Sequence, residues 1–266
     1  AETPCMGAFA RKVARGAGEP SSLIVRGGVH ARCMKNWNDL TAAAEQAHGI
    51  VTTAQLLAAG TTERQLGTLV EGGRLVRVGY GTFRIGGAPP SFEGQALAAV
   101  LEFAGFTWAS HHTAARLHDL RLWGDPNEIE VTRPTGLSTK RSIATVHRST
   151  MIPASHQTVV AGVPCLTVPR TLFDLARTTG PKVLLRGIDR GLLLRTCTMG
   201  SLWQVFYELG GRGRPGTRRM REVLEPLGRD HVPPESELEA VGMALLAGLG
   251  IEWQVEMTDE QGYLRR

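Results

Sequence analysis

The chain of 266 residues has 30 Lys and Arg against 25 Asp and Glu, a formal net charge of +5, and 42% hydrophobic residues. That length and apolar content exclude a wholly disordered chain and favour several small domains with their own cores. The positive balance suits a polyanionic partner, yet lysine stands only at Lys12, Lys35, Lys140 and Lys182, so an arginine-rich codon composition accounts for the charge equally well.

Cys5, Cys33, Cys165 and Cys197 include no C-x-x-C pair and form no dense disulfide framework, which fits a reducing cytoplasm. No apolar run approaches the roughly 20 residues of a membrane helix, and the first residues lack the order of a secretory signal. A cytoplasmic protein without a membrane partner is therefore expected.

Residues 1–39 show neither helical nor strand periodicity and read as a disordered extension. From Leu40, "LTAAAEQAHG" predicts a helix closed by Gly49. Capping-box spacing at Thr52 with Gln55 and at Thr62 with Gln65 predicts two more, with Gly60 ending the first of them. "RLVRVGYGTFRI" alternates as a hairpin: Val76, Val78, Phe83 and Ile85 are expected on an apolar face, with Arg77, Thr82 and Arg84 on a basic one. "GGAPPS" reads as a linker, because proline interrupts both helix and ladder.

A helix follows in "FEGQALAAVLEFAG", then a strand in "FTWA", a helix opening at Ser110, strands in "EIEVT" and "SIATVHRS", and a helical run from "TVPRTLFDLA" to about Leu227. This pattern is mixed α and β, too irregular for a doubly wound parallel sheet. After "DHVPPES" come a further helix, "ELEAVGMALLAGLG", a strand, "IEWQVEM", and the start of a hairpin at "DEQG" and "YLRR".

On the third helix, 3.6-residue spacing places Leu66, Leu69 and Val70 on one side and Arg64, Gln65 and Thr68 on the other. A guanidinium, an amide and a hydroxyl suit major-groove readout, whereas a plain solvated face is the alternative. Glu71 lies near that face and would repel phosphate unless Arg74 neutralises it. The order of three helices and a hairpin favours DNA binding, with the third helix in the groove and the hairpin along the backbone.

"HGIVTTAQLLAAGTTERQLGTLVEGGRLVRVGYGTFRIGG" resembles the N-terminal winged helix of AbiEi-type antitoxins of type IV toxin-antitoxin systems. "ASHHTAARLHDL", "VHRS", "GVPCLTVPRTLFDLA", "GRPGTRRMREVL" and "SELEAVGMALLAGLGI" resemble, in that order, segments of actinobacterial proteins that join this winged helix to a C-terminal endonuclease-like domain related to very-short-patch-repair nucleases. The resemblance runs from about Leu40 to the end and implies binding to inverted repeats in the protein's own promoter. It also implies a homodimer and a nucleotidyltransferase-type toxin as partner. Carried over by position, Arg64, Gln65 and Thr68 become groove candidates, and Arg74, Arg77 and Arg84 phosphate candidates.

For the rear, the resemblance implies an Mg²⁺ site built from an Asp and a Glu-x-Lys on adjacent strands, preceded by a helix glutamate to which Glu239 corresponds. The Asp would be expected shortly after "GYLRR", and Glu252, Glu256, Asp259 and Glu260 do not substitute for it. Glu239, the one residue matching a catalytic position, reads on its own as an ordinary helix carboxylate, so no catalytic site is expected in this chain and no cofactor, with Mg²⁺ expected only if the endonuclease domain were complete.

Other residues are read without a site. His111, His112 and His118 are spaced wrongly for shared zinc ligation and fit a Ser110-capped helix with partly exposed imidazoles. "GGRGRPGTRRMRE" is either a phosphate-binding nest or a basic loop entering a helix. Arg170 and Asp174 read as an i,i+4 ion pair, and His147 lacks an Asp partner for a nucleophilic triad.

The expected fold is α+β: a winged helix-turn-helix over 40–88, a mixed α/β middle domain over 89–233, and the start of a restriction-endonuclease-like domain over 234–266. The expected function is a DNA-binding transcriptional regulator, an antitoxin-like repressor. The alternatives are a truncated form of a Mg²⁺-dependent DNA endonuclease and a winged helix used for protein contact.

Overall fold

The computed structural model describes residues 37–228 apart from 104, 123, 126–127 and 138–141, together with 231–234, 242, 257–258 and 264–265. The expected N-terminal extension, apart from its last residues, and the helix carrying Glu239 lie outside the described residues.

The chain enters through helix α1 (Trp37–Glu45), which Gly49 closes at φ +76 with its N–H on the Ala44 carbonyl. Next come strand β1 (Ile50–Thr52), helices α2 (Thr53–Ala58) and α3 (Glu63–Glu71), and the hairpin of β2 (Leu75–Gly79) and β3 (Thr82–Ile85). Both expected capping boxes are formed: the Thr52 and Thr62 hydroxyls accept from the amides of Gln55 and Gln65, whose side chains reach back to the cap amides.

Strand β1 was not foreseen. Its three residues pair antiparallel with β3, giving the sheet order β1-β3-β2. Alternation sends Val51 into the small core with Leu40, Leu56, Leu75 and Phe83, and Ile50 into the neighbouring one.

The hairpin faces also differ from expectation. Arg77 pairs with Phe83 and Val76 with Arg84, and a bulge follows between Arg77 and Gly79. Directly paired residues share a face, so Arg77 and Arg84 stand on opposite sides and form no common basic surface. Thr82 is buried, while Val76 is exposed.

Helix α4 (Phe92–Leu101) is capped by Ser91 and buries Ala96, Leu97, Ala98, Ala99 and Val100, a run too continuous for one face. Apolar contact on both sides explains it, because α4 packs against all three strands of the first sheet and against three strands of a second. Glu102, just past its end, accepts from the Tyr80 amide at the hairpin turn (2.7 Å) and from Ser142 Oγ and the Ile143 amide.

The second sheet holds β4 (Trp108–Ala109), β5 (Glu130–Pro134), β6 (Thr145–Ser149), β7 (Gln157–Val160) and β8 (Val163–Leu166), in the order β6-β5-β4-β8-β7. Strands β5 and β6 are parallel, as are β4 and β8, whereas the other neighbours are antiparallel. Helices α5 (His111–Leu117), α6 (Val168–Leu175), α7 (Pro181–Leu193), α8 (Met199–Leu209) and α9 (Thr217–Leu227) enclose a separate core that includes Leu120, Leu172, Ile188, Leu202, Phe206 and Leu224. The described chain is mixed α and β, consistent with the α+β class. Two short strands, β9 (Met257–Thr258) and β10 (Leu264–Arg265), pair antiparallel.

Candidate nucleic-acid interface and a histidine-lined cavity

Helix α3 buries no residue completely: Leu66, Leu69 and Val70 lean on the small core, while Arg64, Gln65 and Thr68 are exposed, as the spacing required. Arg64 makes no side-chain hydrogen bond or ion pair with any described residue. Gln65 is less available than its type suggests, because its Oε1 accepts from the Thr62 amide (2.9 Å) and hydroxyl (3.0 Å). An amide whose oxygen is held in a cap cannot also present it to adenine, so Gln65 acts first as the cap.

The three other arginines differ. Arg74 stands over the Trp37 ring at 5.0 Å instead of pairing with Glu71, and its head remains exposed. Arg77 lies over the Phe83 ring at 5.0 Å, its stem shielding a buried aromatic and its guanidinium facing water. Arg84 turns inward and donates through Nη1 to the Ala88 carbonyl, while its buried Nε has no partner among the described residues. It pins the chain leaving β3 and is not displayed for phosphate.

The second site lies on the far sheet. The parallel register sets Glu130 beside Thr145, Thr132 beside His147 and Pro134 beside Ser149, so alternate residues of both strands face α5 and α6 together. There His147 Nε2 donates to Glu130 Oε1 (2.9 Å), and Glu130 Oε2 accepts from the His112 amide (2.8 Å). The His111 ring stacks on His147 with centroids 3.6 Å apart. Ser110 supplies no helix cap; its buried hydroxyl is instead hydrogen-bonded to His111 Nδ1 (3.1 Å). His111 is 7% exposed, in contrast to the partly exposed ring expected.

Burial, aided by the neighbouring His147, pulls His111 down to about 3, so this ring is neutral near pH 7. Burial works to raise the Glu130 carboxyl, but hydrogen bonds from His147 and the His112 amide outweigh it and hold it below the ordinary range.

His111 and His147 line a cavity of about 440 Å³ whose wall also includes Thr132, Arg170, Asp174, Arg177 and Arg214. Arg170, 1% exposed, is spent on structure: Nε donates to Asp174 (2.9 Å), Nη1 to the Met151 carbonyl (2.7 Å) and His156 Nδ1 (3.2 Å), and Nη2 to Ser149 Oγ (3.0 Å). The expected i,i+4 pair is thus part of a wider hub. Arg214, from the glycine-rich tract before α9, reaches over Phe173 into the same cavity. Cys165 and Cys197 are buried thiols, which burial pushes up, Cys197 to about 12, so neither is a ready nucleophile.

Residues 38–86 match the family model of AbiEi antitoxin transcriptional regulators. The AbiEi-like segment is thus the unit from α1 to β3, containing Arg64, Gln65, Thr68, Arg74, Arg77 and Arg84, and the histidine cluster lies outside it. Among solved structures, the RV2827C protein from Mycobacterium tuberculosis is similar over 82% of this chain and 83% of its own, at 18% identity and a TM-score of 0.49. No curated protein matches the chain. Among the described residues, no helix is long and apolar enough to cross a membrane.

Sequence reading missed Glu130 and Thr132 as members of any cluster. The available signal was the alternation Glu130-x-Thr132 and His147-x-Ser149 on two strands, which means nothing until their register is known.

Proposed function

We propose that the chain is a DNA-binding transcriptional regulator of the AbiEi antitoxin type, whose elements α1 to β3 act as a winged helix-turn-helix. The observation that carries this reading is the outer face of α3: a doubly bonded cap fixes its N-terminus, and the exposed Arg64 and Thr68 side chains project beyond a half-buried apolar side. Arg64 is suited to a guanine edge and Thr68 to a phosphate or base, while Arg74 and Arg77 flank them as phosphate contacts. Repression of the protein's own promoter, dimeric binding to inverted repeats and opposition to a nucleotidyltransferase-type toxin follow from the AbiEi-like segment as finer parts of the same proposal.

Binding of the purified chain to the DNA upstream of its own gene, titrated over a salt series, tests the reading. Arg64→Ala should weaken binding and relax discrimination against random duplex. Arg77→Ala should weaken both equally and reduce the log-log salt slope by about one unit. Arg84→Ala should leave the slope unchanged, because that side chain is committed to Ala88. Equal affinity for upstream and random DNA, insensitive to the Arg64 and Arg77 substitutions, would overturn the proposal.

A further inference from the structure

We propose that His111, Glu130 and His147 are the protein ligands of a divalent transition-metal ion, zinc by donor type, bound at the wall of the arginine-lined cavity. The inference is independent of the DNA reading. One donor atom of each residue lies within 4.8 Å of the other two. The three come from the start of α5, from β5 and from β6, so the tertiary fold and not local spacing brings them together. Two imidazoles and one carboxylate are a set that zinc uses when a fourth position stays open to solvent or ligand.

The surroundings hold these donors in place. Glu130 is tied through Oε2 to the His112 amide and through its own amide to Thr113 Oγ1 (2.8 Å), which leaves Oε1 directed at His147. The Ser110 hydroxyl engages His111 Nδ1, which leaves Nε2 as the other donor of that ring. Such outer hydrogen bonds fix ring and carboxylate orientation in metal centres. Two ligands bound at about 2.0–2.1 Å in tetrahedral geometry stand roughly 3.3 Å apart. The 2.9 Å His147–Glu130 contact therefore opens slightly when an ion replaces the shared proton, and the His111 ring turns out of its stack on His147 to bring Nε2 onto the ion.

One further feature points to an occupant. Thr132, 2% exposed and in register beside His147, lines the cavity with a hydroxyl that has no hydrogen-bond partner in the described structure. A water or anion on the open metal position would supply one.

The full chain, stripped with a chelator, would be titrated with Zn²⁺ by calorimetry and in competition with a chromophoric chelator, and Co²⁺ would be followed by its visible absorption. The expected result is a Zn²⁺ site, and a Co²⁺ spectrum of tetrahedral intensity, that Glu130→Gln and His147→Ala each weaken by roughly 10- to 100-fold or more. His48→Ala, which removes an imidazole before β1 and outside the set, should leave affinity unchanged. Far-UV circular dichroism checks folding, and Glu130→Gln, the near-isosteric change, decides the matter if His147→Ala does not fold. Absence of stoichiometric binding, or equal affinity in the unaltered chain and the folded ligand variants, would overturn the assignment.

Discussion

Substituting Arg170 with methionine tests the buried hub most directly. The change preserves much of the aliphatic volume but removes hydrogen bonds to Asp174, Met151, His156 and Ser149. Two of these partners lose little, since Ser149 Oγ and the Met151 backbone remain bonded to each other. The loss falls on Asp174, whose side chain is 13% exposed, and on His156 Nδ1. Breaking one side of a buried pair costs about 3–5 kcal/mol, and an orphaned neutral acceptor roughly 1–3 kcal/mol. Residual water access to Asp174 places the total nearer 4 than 8 kcal/mol, on the order of those costs combined and discounted. Urea unfolding followed by circular dichroism measures it, with a constant m-value showing that stability and not the unfolded ensemble has changed. Adding Asp174→Leu removes the stranded charge, so the double variant should be more stable than Arg170→Met alone. A loss below about 1 kcal/mol, or strict additivity of the two substitutions, would refute the role given to this pair.

Further expectations concern other levels of the fold. Burial and the adjacent Arg170 hold His156 below its ordinary 6.5, so its unfolded form binds the proton first as pH falls. Its contribution is complete above that value and is lost on acidification. His156→Gln should therefore flatten the fall in stability between pH 7 and 5, by at most about 1.4 kcal/mol per pH unit. Thr62→Ala should cost about 1 kcal/mol and accelerate hydrogen exchange at the Gln65 amide, because the hydroxyl that accepts from this amide disappears while the backbone half of the α3 capping box remains. Gly49→Ala should lower the urea midpoint, since φ is +76 and the added methyl would sit 2.6 Å from the Ala88 Cβ.

Features set by neighbours along the chain were legible before the structure. The Thr52 and Thr62 boxes, the Gly49 stop and the Arg170–Asp174 contact all follow from spacings of three to five residues, where helix geometry alone dictates proximity. Outcomes set by register were not. One bulge after Arg77 separates the hairpin's arginines, and a three-residue strand has too few positions to show alternation. Glu130 and His147 are brought together by the parallel pairing of β5 and β6, and His111 by the packing of α5 on β5, long-range events that residue spacing does not encode. His118, weighed beside His111 from the sequence, instead donates to the Leu166 carbonyl.

Helix α4 bears on how the molecule can be dissected. A fragment ending at Pro89–Pro90 would contain the whole AbiEi-like segment and still lack the helix on which Ala47, Ile50 and Val78 rest. Such a piece would expose those three side chains, and its hairpin turn would lose the Glu102 carboxylate that accepts from the Tyr80 amide. The shortest self-supporting fragment that carries the AbiEi-like segment should therefore extend to Phe103, with the outer side of α4 recoded to polar residues. Under the proposed DNA-binding role, a loss of affinity after cutting at the prolines would then report a missing support, not a missing contact.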